Sequence, residues 1–465
     1  MEFACSHVVC NWRPDEAGAL PPPLPPRHHQ KPRPSSLPLA PPVPPRLDLL
    51  EGERASDVNV NVVSLSVAKL VDVGRDAGLE TLQSPLVCEK CRAALSHLSS
   101  VHNDQLWVCE FCGGENAVDG DVATVCMGQR AGVRSDNLYQ PKGSDDDYEN
   151  LENSLVVFCV DISGSMSVTT ECTDGRANIG LGDMEQSPSL SSLTQTPYFY
   201  RQLALQAMEK EVIISIMSFK GTDCRLADIG RLADATGGRV NIVSIGTVAS
   251  EIQSISVDNV LATSVTLTLL APDGVYFPFE DDNHHKLVRE IGNVPKGLEI
   301  TFQFAVKPDF TETFLRRSTV PLQLQLSFKT RDQQRITRII TEQRPVMTKS
   351  RILPGRLNTA VLGVHCAQLC ANLTMEGRVQ EAQKQLKAQQ DLLRQISKSR
   401  PIQKNESIYG NWMKTMTTIC DDITTDSQVL SDEAAEVVYH LKRASSNSYA
   451  QVHKNHLMKR NVTEA

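Results

Sequence analysis

Four cysteines carry the most specific chemistry in the sequence. Cys88-Glu-Lys-Cys91 and Cys109-Glu-Phe-Cys112 form two Cys-x2-Cys pairs, with residues 92–108, seventeen positions, between them. A Cys-x2-Cys turn points two thiolates the same way. Two such turns make a tetrahedral sulfur cage that suits zinc and leaves no coordination position open. A closed cage is structural rather than catalytic. A RING-type cross-brace would need a second set of four ligands, which the sequence does not supply.

An oxygen-rich constellation follows. Leu155-Val-Val-Phe-Cys-Val160 is a continuous apolar run, as in a strand buried on both faces of a parallel sheet. It leads into Asp161-Ile-Ser163-Gly-Ser165, a carboxylate and two hydroxyls at alternate positions that can converge on one hard cation, magnesium being the best match. A hydroxyl-rich loop that caps a helix is the plain alternative. The pattern resembles the metal-ion-dependent adhesion site of von Willebrand factor A (vWA) domains. Cys172-Thr-Asp174-Gly resembles the second part of that site. The resemblance implies that Asp161, Ser163 and Ser165 hold magnesium, that Asp174 binds it through water, and that an acidic ligand from a partner completes the shell. Only eight residues, 166–173, separate Ser165 from Asp174, where the family places two strands, their helices and a metal-site threonine. A parallel crossover needs about a dozen residues or more. The segment therefore reads as a vWA domain whose central part is deleted.

A third set is proline-rich. Pro22-Pro-Leu-Pro25-Pro-Arg27 and Pro41-Pro-Val-Pro44-Pro-Arg46 both read P-x-x-P-x-R. A polyproline helix has three residues per turn, so Pro22 and Pro25, like Pro41 and Pro44, share one face. Arg27 and Arg46 can then meet an acidic rim. The motif resembles the ligands of Src-homology-3 domains, and two copies add avidity. A generic proline-rich linker is the other reading.

Composition sets the bounds. A length of 465 residues suggests about three domains, and 40% hydrophobic content suffices for real cores. A net charge of -8 argues against nucleic acid as a partner. No apolar run reaches the ~18 residues of a membrane span, and the first residues lack the build of a signal peptide. Peripheral membrane association stays open. Thirteen cysteines without a secretory signal fit a reducing, cytoplasmic setting.

These readings give a multidomain α+β chain. The expected order is a disordered proline-rich arm (1–56), a lead-in strand and zinc ribbon (57–126), an acidic linker (127–153) and a truncated doubly wound vWA domain (154–250). An antiparallel β-sandwich (251–347), a helical region (348–445) and a polar tail (446–465) follow. In the truncated domain, helices are expected over 198–209 and 226–235, the second stopped by Gly237-Gly238, with strands over 212–219 and 240–245. The sandwich rests on period-two runs: Val265, Leu267, Leu269; Leu298, Ile300, Phe302, Phe304, Val306; and Val320, Leu322, Leu324, Leu326, Phe328. His284-His285 beside Glu280 reads as a polar loop. Val379, Ala382, Leu386, Leu393 and Ile396 form a stripe broken by Gln389, too short for a coiled coil and expected to pack on the sandwich.

A four-cysteine ribbon ahead of an A-type domain, a sandwich and helices resembles the inner coat subunits of COPII vesicles. The ribbon and vWA pair also resembles the C-terminal half of circularly permuted Ras-like proteins. No Gly-Lys dipeptide occurs, so no Walker A loop is present to hold nucleotide phosphates. No nucleophile, base and orienting group can be assembled. The expected function is a non-enzymatic cytosolic adaptor or scaffold. The alternatives are a COPII-like coat component and part of a permuted Ras-like GTPase that lacks its GTPase region.

Overall fold

The computed structural model describes residues 1–10, 58–73, 81–82, 84–103, 105–118, 135–140, 160, 190–210, 212–222, 224–256, 260–280, 284–348, 352–399, 401, 404–425 and 430–446. Both proline motifs, the acidic stretch 144–149, the apolar run 155–159 and residues 161–175 lie outside the described residues. Val160 is 77% exposed and belongs to no strand.

Period-two hydrophobicity builds the largest sheet. β11 (Val260–Leu270), β13 (Lys286–Pro295), β16 (Thr319–Thr330) and β17 (Arg335–Thr348) pair antiparallel in the order β13-β11-β16-β17. β8 (Ser135–Tyr139) and β4 (Thr81–Leu82) extend this sheet beyond β17. β2 (Val8–Cys10) pairs parallel with the far end of β17, Val8 opposite Val346. A second sheet of β1 (Glu2–Phe3), β3 (Val62–Leu65) and β14 (Ile300–Gln303) has β3 in the middle, and β12 (Val275–Tyr276) pairs antiparallel with β15 (Ala305–Val306). Val265, Leu267, Leu269, Val320, Leu322, Leu324, Leu326 and Phe328 meet Val63, Leu65, Phe302 and Phe304 in one core. Most of the alternating residues read from sequence are thus buried, with Leu298 and Ile300 partly buried against the core, because successive side chains of a strand point to opposite faces.

Three segments sit differently from the sequence-based expectation. Residues 1–10 fall within the expected disordered arm, yet they form β1 and β2 and bury Val8, Val9 and Cys10. Val58, Val60 and Val62 were expected to lead into the ribbon. β3 instead joins the sandwich, paired on both sides. β8 lies inside the expected acidic linker. These strands are short and take their pairing from distant partners, which local periodicity does not reveal. Asn61 ties the N-terminal piece in place: Val9 N donates to Asn61 Oδ1 at 2.7 Å, and Asn61 Nδ2 donates to Val9 O at 2.9 Å.

The doubly wound part is represented by α2 (Leu190–Glu209), β9 (Ile216–Phe219), α3 (Leu226–Thr236), β10 (Val240–Val243) and α4 (Val248–Ser256). β9 and β10 run parallel. α3 stops where expected, at Gly237 with φ +83°, a left-handed conformation that glycine adopts without a Cβ penalty. β9 is shorter than the expected 212–219: Val212 and Ile213 are exposed, and among the described residues β9 pairs only with β10.

Besides the short helices α1 (Val67–Leu70) and α5 (Thr311–Arg317), helices α6 (Thr359–Met375), α7 (Val379–Ser399), α8 (Lys404–Thr425) and α9 (Asp432–Lys442) follow the sandwich. Val379, Ala382 and Leu386 pack with Cys366 and Cys370 of α6 inside the helical bundle. Leu392 and Ile396 pack on Val60 and Val62 beside the sandwich. Gln389 is buried within the stripe it appeared to break. No helix among the described residues is long and apolar enough to cross a membrane.

α6 docks on β14 through polar groups. Gln368 accepts from Thr301 N at 3.0 Å, and His365 sits 3.0 Å from Thr301 Oγ1 and 3.2 Å from Gln303 Oε1. Burial lowers the His365 pKa to about 4. The unfolded chain, with histidine near 6.5, then binds the extra proton first as pH falls. Stability from this residue is full above pH 6.5 and is lost as pH drops toward 4. The loss approaches about 3 kcal/mol, at about 1.4 kcal/mol per pKa unit. Urea titrations of His365→Asn and wild-type protein at pH 7 and pH 4.5 check this: the variant should lose less stability on acidification. Parallel profiles would refute the assignment.

Candidate metal centre

The ribbon is three short strands, β5 (Ser100–His102), β6 (Leu106–Val108) and β7 (Glu115–Ala117), flanked by two turns of matching geometry. In the first turn Arg92 N donates to Cys88 O at 2.9 Å and Cys88 N to Ala93 O at 2.8 Å. In the second, Gly113 N donates to Cys109 O at 2.8 Å and Cys109 N to Gly114 O at 2.9 Å. Arg92 and Gly113, each four residues after the first cysteine of its pair, are both left-handed, with φ of 65° and 68°. This closes each turn and brings its two sulfurs to one side. Gly114 permits the close approach: a Cβ there would lie 3.3 Å from Cys112 Sγ.

The four sulfurs of Cys88, Cys91, Cys109 and Cys112 all lie within 4.8 Å of one another. Cys88 and Cys112 are 3.6 Å apart across the turns, as are Cys91 and Cys109. Sulfurs bound tetrahedrally at about 2.3 Å from zinc would be about 3.8 Å apart, whereas a disulfide needs about 2.05 Å. The cage therefore fits zinc. Among the described residues it is the one such cluster of cysteine, histidine and carboxylate groups. Asp161, Ser163, Ser165 and Asp174, the expected magnesium ligands, lie outside the described residues. So do Pro22, Pro25, Arg27, Pro41, Pro44 and Arg46.

Electrostatics match a cage suited to a dication. Burial pushes the Cys88 thiol up, but the amides of Cys91 and Lys90 and the Asn116 side chain outweigh it and leave the pKa at about 7. Cys109 is raised by its contact with Cys91 and by burial, and Cys112 is raised by burial. A bound zinc ion supplies the positive charge that makes all four thiolates at once.

Around the sulfurs, Asn116 links the turns, accepting from Glu89 N at 3.0 Å and donating to Gly114 O at 3.1 Å. Glu110 accepts from Trp107 Nε1 at 3.1 Å, Ser96 Oγ at 3.0 Å and Ser99 Oγ at 2.9 Å. The ribbon is also fastened to the outer face of the large sheet. Leu95, Trp107 and Phe111 cluster with Tyr139, Leu270 and Ile339. Gln323 treats Ala94 as a strand neighbour, accepting from its N at 2.7 Å and donating to its O at 2.8 Å. Gln325 donates to Arg92 O at 2.9 Å. In β16 the even positions fill the core and these odd-numbered glutamines hold the ribbon. Sequence reasoning had no role for them. The available signal was a glutamine repeated at period two in a strand whose other face is fully apolar.

Comparisons with known proteins agree with this geometry. Residues 85–121 match the Sec23/Sec24 zinc finger family. Over 233 residues the chain is 24% identical to "Circularly permutated Ras protein 1" of Dictyostelium discoideum, covering 50% of this chain and 27% of that protein. The chain thus spans about a quarter of that relative's length. In fold it is similar to the crystal structure of the human COPII-coat protein Sec24c, with a TM-score of 0.50 and 11% identity over 80% of this chain and 70% of that one. The ArnB paralog VWA2 from Sulfolobus acidocaldarius aligns at a TM-score of 0.28 with 13% identity, over 50% of this chain and 55% of that one. Residues 85–121 thus match the Sec23/Sec24 zinc finger, and the mixed α+β fold that carries them is similar to that of a COPII-coat protein.

Proposed function

We propose that the chain is a non-enzymatic, cytosolic interaction protein of COPII inner-coat type, whose working surface is the ribbon locked onto the sandwich. One observation carries the reading: a Sec23/Sec24-type finger fixed to β16 through Gln323, within a fold similar to Sec24c over 80% of the chain. A closed four-sulfur cage offers no position to a substrate, so the zinc held by Cys88, Cys91, Cys109 and Cys112 rigidifies the platform and does not react. To this platform we add two docking elements read from sequence. One is the proline-rich segment, for Src-homology-3 domains. The other is a magnesium site at Asp161, Ser163, Ser165 and Asp174, for an acidic partner.

Co-sedimentation tests the coat reading. The full chain should pellet with liposomes that carry the coat's small GTPase in its GTP state, and should stay in the supernatant with bare liposomes. A chain that stays in the supernatant in both cases is an adaptor of another kind. The match to a circularly permutated Ras protein supports a second reading, a subunit of such a protein. That reading calls for binding of a fluorescent GTP analogue, either by the chain or by a complex it forms.

A further inference from the structure

Helix α9 faces two cores at once. Val438, Leu441 and Ala444 belong to the core of the helical region. Ala435 and Tyr439 belong to the core of the doubly wound part, with Tyr200, Leu226, Ile229, Leu232 and Val240. The second set of contacts goes beyond apolar packing, because α9 and Arg443, just past its end, reach backbone groups at both ends of α3.

At the start of α3, Arg225 is left-handed (φ 54°) and no local side chain caps the helix. Asp432 does so from 206 residues away, accepting from Leu226 N at 2.6 Å and from Cys224 N at 2.8 Å. At the end of α3, the Arg443 guanidinium donates to Ala233 O at 2.9 Å and to the carbonyl of Gly238. A helix leaves its first N–H groups and last carbonyls without partners, positive at one end and negative at the other. A carboxylate at the first end and a guanidinium at the second answer both. Between them Tyr439 Oη donates to Ala227 O at 2.8 Å, and its ring lies where a Cβ on Gly230 would come within 2.5 Å of Cε2. Glu436 Oε1 accepts from Ile242 N at 2.7 Å. That N–H lies on the side of β10 away from β9, where no other strand pairs with it among the described residues, and Glu436 covers an edge open to strand addition.

We infer that α9, with Arg443, is a clamp that makes the folding of the α3–β10 unit conditional on the C-terminal helix. The unit opens as a local transition when the clamp releases, uncovering the β10 edge, while the sandwich and the ribbon stay folded.

Hydrogen exchange on the full chain tests this. In the Asp432→Ala/Arg443→Met double variant, amides of 226–243 should lose at least about 100-fold in protection, while β16, β17 and the ribbon stay unchanged. Retained protection over 226–243, or an equal loss in β16, would overturn the clamp. Gly230→Ala is a second and opposite test. It raises the intrinsic helix propensity of α3, yet it drives a methyl group into the Tyr439 ring. Protection of α3 and α9 should fall together. A rise in α3 protection in the single variant would refute the proposal.

Discussion

Cys109→Ser is expected to abolish zinc binding and unfold the ribbon, leaving the sandwich as a folded but destabilised unit. The magnitude follows from the coupling of metal binding to folding. Structural zinc contributes about 10–16 kcal/mol in finger-sized units, comparable to the ~5–15 kcal/mol stability of a whole domain. The ribbon's own core is small: Trp107, Leu95 and Phe111 share their cluster with Tyr139, Leu270 and Ile339 of the sheet. Without metal, burial-raised thiols such as Cys109 and Cys112 return to the protonated form, and the two turns lose the link between them. Metal analysis should give one zinc per wild-type chain and none for Cys109→Ser. Hydrogen exchange should rise over 84–118. Acidification should release the metal from the wild type, because protons compete for the same sulfurs as pH falls. A Cys109→Ser protein that kept one zinc would show that the cage is not the binding site.

Asp136→Ala carries the second-largest expected effect. Arg338 Nε and Nη2 bond the two Asp136 oxygens at 2.9 and 2.7 Å, and Nη1 donates to Leu70 O at 2.8 Å. The Arg338 side chain is only 5% exposed. Removing the carboxylate strands a buried cation, which costs about 3–5 kcal/mol. With Asp136 partly exposed, the lower end of that range is expected. The double variant Asp136→Ala/Arg338→Met should recover most of the loss, because an apolar pair leaves no buried charge. Denaturant titration of the single and double variants checks this. A single variant within about 0.5 kcal/mol of wild type would mean that the pair is not formed in solution.

The zinc cage was fully legible in the sequence. Metal geometry dictates Cys-x2-Cys spacing locally, and two copies leave little freedom. The sandwich strands β11, β14 and β16 were legible too, because a two-residue alternation over many positions has few other causes. α3 and its glycine stop belong to the same class. What the sequence hid is long-range. β2 and β8 gain their structure from partners about two hundred or more residues away: β2 pairs with the end of β17, and Asp136 of β8 pairs with Arg338. Gln323 and Gln325 bond Ala94 and Arg92 of the ribbon, more than two hundred residues before them. Asp432 and Arg443 bond the two ends of α3, about two hundred residues before them. In each case the residue type fixes what a group can bond, and that much is written in the chain. Which group it bonds is decided by a fold that brings together segments more than two hundred residues apart, and no local pattern records that choice.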